Sequence, residues 1–207
     1  MIRLKVEKKC FADKTILKQV NLLVPTGQTA ALLGPSGAGK STLLRIAAGL
    51  DQDFEGDVQI LGKHAVVFQE PALLKWRNAL HNITLMTGCS QDEARTLMHQ
   101  MGLSGLEDHY PGQMSLGQQR RLSIARSLAS DPDVLLLDEP FASLDQGLIS
   151  VMVRLIGDAV RERGLTCLLV THSLPEATHL ADKVYELPSH SAGLSVWAPP
   201  SSTSPDE

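Results

Sequence analysis

Gly34-Pro35-Ser36-Gly37-Ala38-Gly39-Lys40-Ser41-Thr42 is the stretch of this 207-residue chain whose reading decides the fold. It fits GxxxxGK followed by Ser or Thr, a pattern that arises by chance in roughly 1% of chains this long. Glycines at these spacings let consecutive backbone N–H groups turn inward on phosphate oxygens, and a following helix adds its positive N-terminal end. Lys40 can neutralise β- and γ-phosphates, while the Ser41 hydroxyl can coordinate Mg²⁺. Such a loop must sit between a strand and a helix. Gln28–Leu33 is an apolar run ending at Gly34, and Lys40–Ala48 has helical character with Gly49 as its stop.

Outward from the loop, strands and helices alternate. Thr15–Val24 is β-branched and apolar, with a Pro25-Thr26-Gly27 turn after it, and short strands are expected near Gly56–Leu61 and Ala65–Phe68. From about Pro71 to Ser130 the chain is mostly helical, clearest at Gln91–Met101 and Leu116–Ala129. Asp133–Leu137 and Leu165–Val170 are buried-type strands, joined by a helix whose Leu148, Met152, Leu155 and Ala159 share one face and which Gly164 ends. Strand, amphipathic helix and strand in that order predict a parallel sheet with right-handed crossovers. Asp138 then emerges at the C-terminal edge of a buried strand, where it can hold hydrated Mg²⁺ opposite Ser41. Glu139 follows directly and can orient the attacking water.

Further motifs, in order around the loop, resemble those of ATP-binding cassette (ABC) transporter ATPases. Met114-Ser115-Leu116-Gly117-Gln118 resembles the LSGGQ signature, with Gln119-Arg120-Arg121 and a helix ending Ala125-Arg126-Ser127-Leu128 after it. Leu136-Leu137-Asp138-Glu139-Pro140-Phe141 resembles Walker B, Ser143-Leu144-Asp145 the D-loop, Thr171-His172 the switch-histidine region, and Gln69 the Q-loop. The resemblance covers nearly the whole chain and implies an α/β fold: a P-loop NTPase core with a parallel sheet, an N-terminal β-subdomain and an inserted α-helical signature subdomain at about 71–130. It also implies roles. Glu139, His172 and Lys40 would be catalytic. The nucleotide would be held by Phe11, which occupies the place of the adenine-stacking aromatic, by the loop from Gly34 to Thr42, and by Gln69. Mg²⁺ would be held by Ser41, Gln69 and Asp138. Ser115, Gly117 and Gln118 would bind the γ-phosphate of ATP held by a second ABC ATPase subunit, which implies a head-to-tail dimer, expected to be a homodimer.

Phe141 and the wording Val66-Val67-Phe68-Gln69-Glu70-Pro71-Ala72-Leu73-Leu74-Lys75-Trp76 are most similar to importer ATPases of the nitrate, sulfonate, taurine and thiamine-precursor group. The expected function is ATP hydrolysis that powers transport through separate transmembrane permease subunits, with a solute-binding protein as a possible further partner. The expected place is peripheral, on the cytoplasmic face of the inner membrane. The permease would sense the cycle through roughly Gln69–Leu80. Alternatives are a nucleotide-binding regulatory module that does not turn over, and a non-transport ABC ATPase.

Composition sets the remaining bounds. A net charge of −4 gives no support to a nucleic-acid partner. Cys10, Cys89 and Cys167 are far apart, without a CxxC pair, and read as free thiols in a reducing compartment. Met1–Glu7 shows no uninterrupted apolar segment, so no signal peptide is expected. The domain is expected to span 1–188. Ser189–Glu207, with six serines and three prolines, reads as a disordered or loosely attached tail whose removal from Ser191 onward would leave folding and ATPase activity nearly intact. Two departures from the family pattern stand out. The stretch from Lys40 to Gln69 is compressed, which implies loss of a β-loop in the N-terminal subdomain. Leu116 stands where the signature usually has its first glycine. A positive φ there would mean strain, but a helical backbone with an outward side chain is expected.

Overall fold

Alternating apolar residues at the start of the chain make a sheet of their own. In the computed structural model, which describes residues 1–12, 14–142, 144, 146–188 and 193–197, β1 (Ile2–Phe11) pairs antiparallel with β2 (Lys14–Val24). β3 (Thr29–Leu33) leads through the phosphate loop into α1 (Lys40–Ala47), and Gly49 at φ 70° ends that helix. β4 (Glu55–Ile60) returns to the other edge of β1 and completes a three-stranded sheet in the order β2-β1-β4.

β5 (His64–Val67) begins the second sheet, and a helical stretch follows. It holds α2 (Ala79–Thr87), α3 (Gln91–Gln100), a 3₁₀ turn at Pro111–Gln113, and α4 (Leu116–Ala129). Sequence periodicity singles out α3 and α4. α2 escapes it because its buried face, Ala79, Leu80, Asn82 and Ile83, is short and carries a polar residue. β6 (Val134–Asp138), α5 (Gln146–Arg163), β7 (Thr166–Thr171), α6 (Leu174–Leu180), β8 (Lys183–Glu186) and β9 (Ser195–Val196) complete the described chain.

The six strands run in the order β5-β6-β7-β3-β8-β9, all parallel except β9, which pairs antiparallel with β8. β6 and β7 are buried at every residue, which is why they read as continuous apolar runs. Their alternate side chains serve two cores. Leu135, Leu137, Cys167 and Leu169 pack with the helices after β5, whereas Val134, Leu136, Leu168 and Val170 pack with α1 and the first sheet. α5 buries Met152, Ile156, Gly157 and Val160, and the expected Leu148, Leu155 and Ala159 flank that face half-buried. Burial pushes the Cys167 thiol up to about 12, so it stays protonated and acts as a small apolar residue.

Of the expected tail, Ser189–Glu207, only residues 193–197 are described. Residues 189–192 and 198–207 lie outside the described ones, but β9 pairs with β8, Trp197 packs on the helical core, and its N–H donates to the Val184 carbonyl at 3.0 Å. Half-buried Leu194 and Trp197 anchor a segment that composition alone marks as polar. Ending the chain at Pro188 is therefore expected to cost about 1–2 kcal/mol and lower the melting temperature by about 2–8 °C. Calorimetry of the truncated chain checks this, and an unchanged melting temperature would contradict the anchoring.

Candidate functional site

The phosphate loop bends at residues chosen for backbone shape. Gly39 adopts φ 100° and leads into α1, where a side chain would be strained and would also meet Leu17 Cδ2 at 2.7 Å. Gly34 lies against β8's end, where a Cβ would meet the Leu187 carbonyl at 2.5 Å. Lys40, the first residue of α1, is buried beneath the loop. Its Nζ donates to the Gly34 carbonyl at 2.9 Å and the Pro35 carbonyl at 3.1 Å, and lies 3.3 Å from Glu139 Oε1. Pro35, Ser36 and Gly37 are exposed, Ala38 is buried, and Thr42 is half-buried one residue beyond Ser41.

β3, β6 and β7 are adjacent and parallel, so the residues at their C-terminal ends converge. Glu139 follows β6 at φ 45°, a strained value for a side-chain-bearing residue. Its N–H donates to the Val170 carbonyl of β7 at 2.9 Å, which holds the turn. Glu139 Oε2 lies 2.7 Å from Nδ1 of His172, the residue after β7. A carboxylate only accepts, so Nδ1 carries the proton, while the His172 side chain is 57% exposed. Lys40, Glu139 and His172 thus form one connected line.

A second pair lies beside it. Ser41 Oγ donates to Asp138 Oδ1 at 2.8 Å. Burial pushes the Asp138 carboxyl above the ordinary aspartate value, against the lowering effect of the Ser41 hydroxyl. An arriving divalent cation would offset that desolvation. Two hard oxygens suit Mg²⁺, which keeps several waters and needs few protein ligands.

Gln69 is exposed two residues beyond β5. The chain that leaves it is tied to α4, because Arg126 Nη1 donates to the Ala72 carbonyl at 2.9 Å and Nη2 to the Pro71 carbonyl at 3.1 Å. Asn82, buried in α2, accepts from Leu74 N–H at 2.7 Å and donates to the Leu74, Arg77 and Asn78 carbonyls. It thereby shapes the loop that holds Trp76 69% exposed. Sequence reasoning passed over Asn82, although a polar residue at a buried helix position was a signal that it satisfies backbone groups.

Ser115, Gly117 and Gln118 lie at the start of α4. Ser115 is the N-cap, accepting from Gln118 N–H at 3.2 Å, and Gln118 Oε1 accepts from Ser115 N–H at 2.8 Å. Gly117 is packed so closely that a Cβ would meet Leu148 Cδ2 at 2.3 Å. Leu116 is the first helical residue, without positive φ, and its side chain is 44% exposed. Leu116→Gly is therefore expected to loosen the helix start by up to about 1 kcal/mol and to change ATPase activity of the assembled transporter by less than about fivefold. A hundredfold rise would instead mark the leucine as an attenuator. Of the D-loop motif, Ser143 and Asp145 lie outside the described residues. Phe11, at the end of β1, is 53% exposed.

Comparison with known proteins gives concordant results. The family model described as "ABC transporter" matches residues 17–142. An aliphatic sulfonates import ATP-binding protein, SsuB 1 of Pseudomonas savastanoi pv. phaseolicola, is 41% identical over 202 residues, covering 96% of this chain and 85% of its own length. SsuB 2 of Pseudomonas syringae pv. tomato is 44% identical over 184 residues, covering 87% and 79%. Among solved structures, the dimeric post-hydrolysis state of the ATP-binding cassette MJ0796 bound to ADP and Pi superposes with a TM-score of 0.83 at 29% identity, covering 92% of this chain and 96% of that one.

Proposed function

The chain belongs to the ABC transporter ATP-binding family, and from that premise we propose that it binds and hydrolyses ATP to drive import of an aliphatic sulfonate through separate permease subunits. The observation that carries the hydrolytic reading is the line Lys40–Glu139–His172 beside the pair Ser41–Asp138, all at one edge of the parallel sheet. In that arrangement the loop from Gly34 to Thr42 takes the triphosphate, with Lys40 at its β- and γ-phosphates. Ser41 and Asp138 hold Mg²⁺, which supplies charge neutralisation when bound, and Gln69 completes its surroundings. Glu139 orients the attacking water, and His172 fixes Glu139 while turning its other ring nitrogen to the phosphate. Phe11 stacks the base.

Ser115, Gly117 and Gln118 open α4 at a capped helix N-terminus, which supports their use on the γ-phosphate of ATP held by a second copy of the chain. Leu116 turned outward without backbone strain supports retention of that use, and so counts against a module that does not turn over. Among the described residues no helix is long and apolar enough to cross a membrane, and the proposed place is peripheral, on the cytoplasmic face beside the permease. The loop around Trp76, shaped by Asn82, is the surface offered to the permease. Affinity purification from detergent-solubilised membranes, followed by uptake of an alkanesulfonate, nitrate and taurine by the reconstituted complex, tests the proposal. A co-purifying permease with alkanesulfonate uptake supports it. Taurine, itself an aliphatic sulfonate, would count as support; nitrate uptake alone would overturn the cargo, and absence of any permease would overturn the transport role.

A further inference from the structure

Lys9 carries a buried ammonium that the hydrolytic site leaves unused. Its side chain is 2% exposed on β1, two residues before Phe11. Nζ lies 2.8 Å from Asp51 Oδ1 and 3.3 Å from Asp53 Oδ2, and it also donates to the Asp53 carbonyl. Asp51 Oδ1 accepts in addition from Asp53 N–H at 3.1 Å, so the two aspartates form one clasp. The same ammonium stands 4.8 Å from the centroid of the Phe11 ring. A buried ammonium is costly unless partnered, and here the carboxylates, a carbonyl and a ring face partner it. The hydrogen bond from Asp51 raises the Lys9 pKa above the ordinary lysine value despite the opposing effect of burial. The charge therefore persists at any working pH.

Phe11 is half-exposed while Lys9 is buried, so the cation occupies the inner face of the ring and the outer face meets solvent. We propose that Lys9 is a positioning residue for the nucleotide base, fixing the tilt of Phe11 and drawing its π density inward so that the outer face stacks a purine more strongly. Attraction of a cation to one face sets the ring's orientation, and the depleted opposite face repels a second π cloud less. Asp51 also follows α1, whose first residues are Lys40 and Ser41. The clasp thus ties the base platform to the far end of the helix that serves the phosphates. The proposal depends on the reading of Phe11 as the stacking ring.

The test measures binding of ATP and of inorganic tripolyphosphate to the full chain by calorimetry. Lys9→Gln is the deciding variant, since it keeps a polar donor on the side chain while the cation is gone. It is expected to weaken ATP about threefold to tenfold and to leave tripolyphosphate within about twofold. Lys9→Arg should restore ATP binding, and Lys9→Gln added to Phe11→Ala should have no further effect. If Phe11→Ala weakens ATP but Lys9→Gln does not, stacking stands and the role of Lys9 is overturned. Equal weakening of both ligands by Lys9→Gln would overturn it too, because the clasp would then serve only the fold. If Phe11→Ala leaves ATP binding unchanged, the stacking reading itself fails and the Lys9 proposal with it.

Discussion

Glu139→Gln is expected to slow ATP turnover by about 10²–10⁴ while preserving ATP binding. The carboxylate sits 2.7 Å from His172 Nδ1 and 3.3 Å from Lys40 Nζ, so it is held from two sides at the place proposed for the γ-phosphate and its attacking water. Its backbone at φ 45° is a strained conformation kept by the Val170 carbonyl, which is the kind of cost retained where orientation matters. Glutamine preserves the shape but removes the charge that polarises water. It also removes the repulsion between Glu139 and an incoming triphosphate, so ATP affinity should stay level or rise slightly. Phosphate release and ATP binding, measured separately on the assembled complex, check the two halves. Unchanged turnover would remove Glu139 from the mechanism.

Lys40→Ala should act on the other half of the cycle, weakening ATP by about 10–150-fold, the worth of a charge-assisted hydrogen bond of about 1.5–3 kcal/mol. Lys40 is engaged by the Gly34 and Pro35 carbonyls and lies beside Glu139, so its ammonium is held at the loop. Its removal also leaves Glu139 without a cation beside the phosphates, which adds repulsion. With Lys40 at the β- and γ-phosphates as proposed, the effect should grow from AMP to ADP to ATP. Titration of the three nucleotides reads this directly. An equal loss for all three would mean that the loop had changed shape rather than lost a phosphate contact.

The fold was legible at the positions where one residue type is required by backbone geometry or by burial on both faces. Gly39 at φ 100° had to be glycine, and β6 and β7 had to be apolar throughout, so phosphate loop, sheet and helix order followed from the sequence. α2 was missed as an element of its own because its buried face is short and contains Asn82, whose amide serves the neighbouring loop. The anchoring of Trp197 was missed because a few apolar residues among serines and prolines carry no periodic signal.

The residue types of the candidate site were likewise present in the sequence: a lysine and serine after the glycine loop, an Asp-Glu pair after an apolar strand, and a histidine after another. Sequence by itself determined that these groups exist and that each follows a buried strand or opens a helix, since local motifs and hydrophobic runs encode both. Tertiary structure alone decided that Lys40 meets Glu139 across 99 positions of chain, and that Lys9 stands under Phe11 with Asp51 and Asp53. The reason is physical. Those contacts are set by the order in which β3, β6 and β7 lie side by side and by how α1 packs between two sheets, and neither pairing order nor packing leaves a periodicity along the chain.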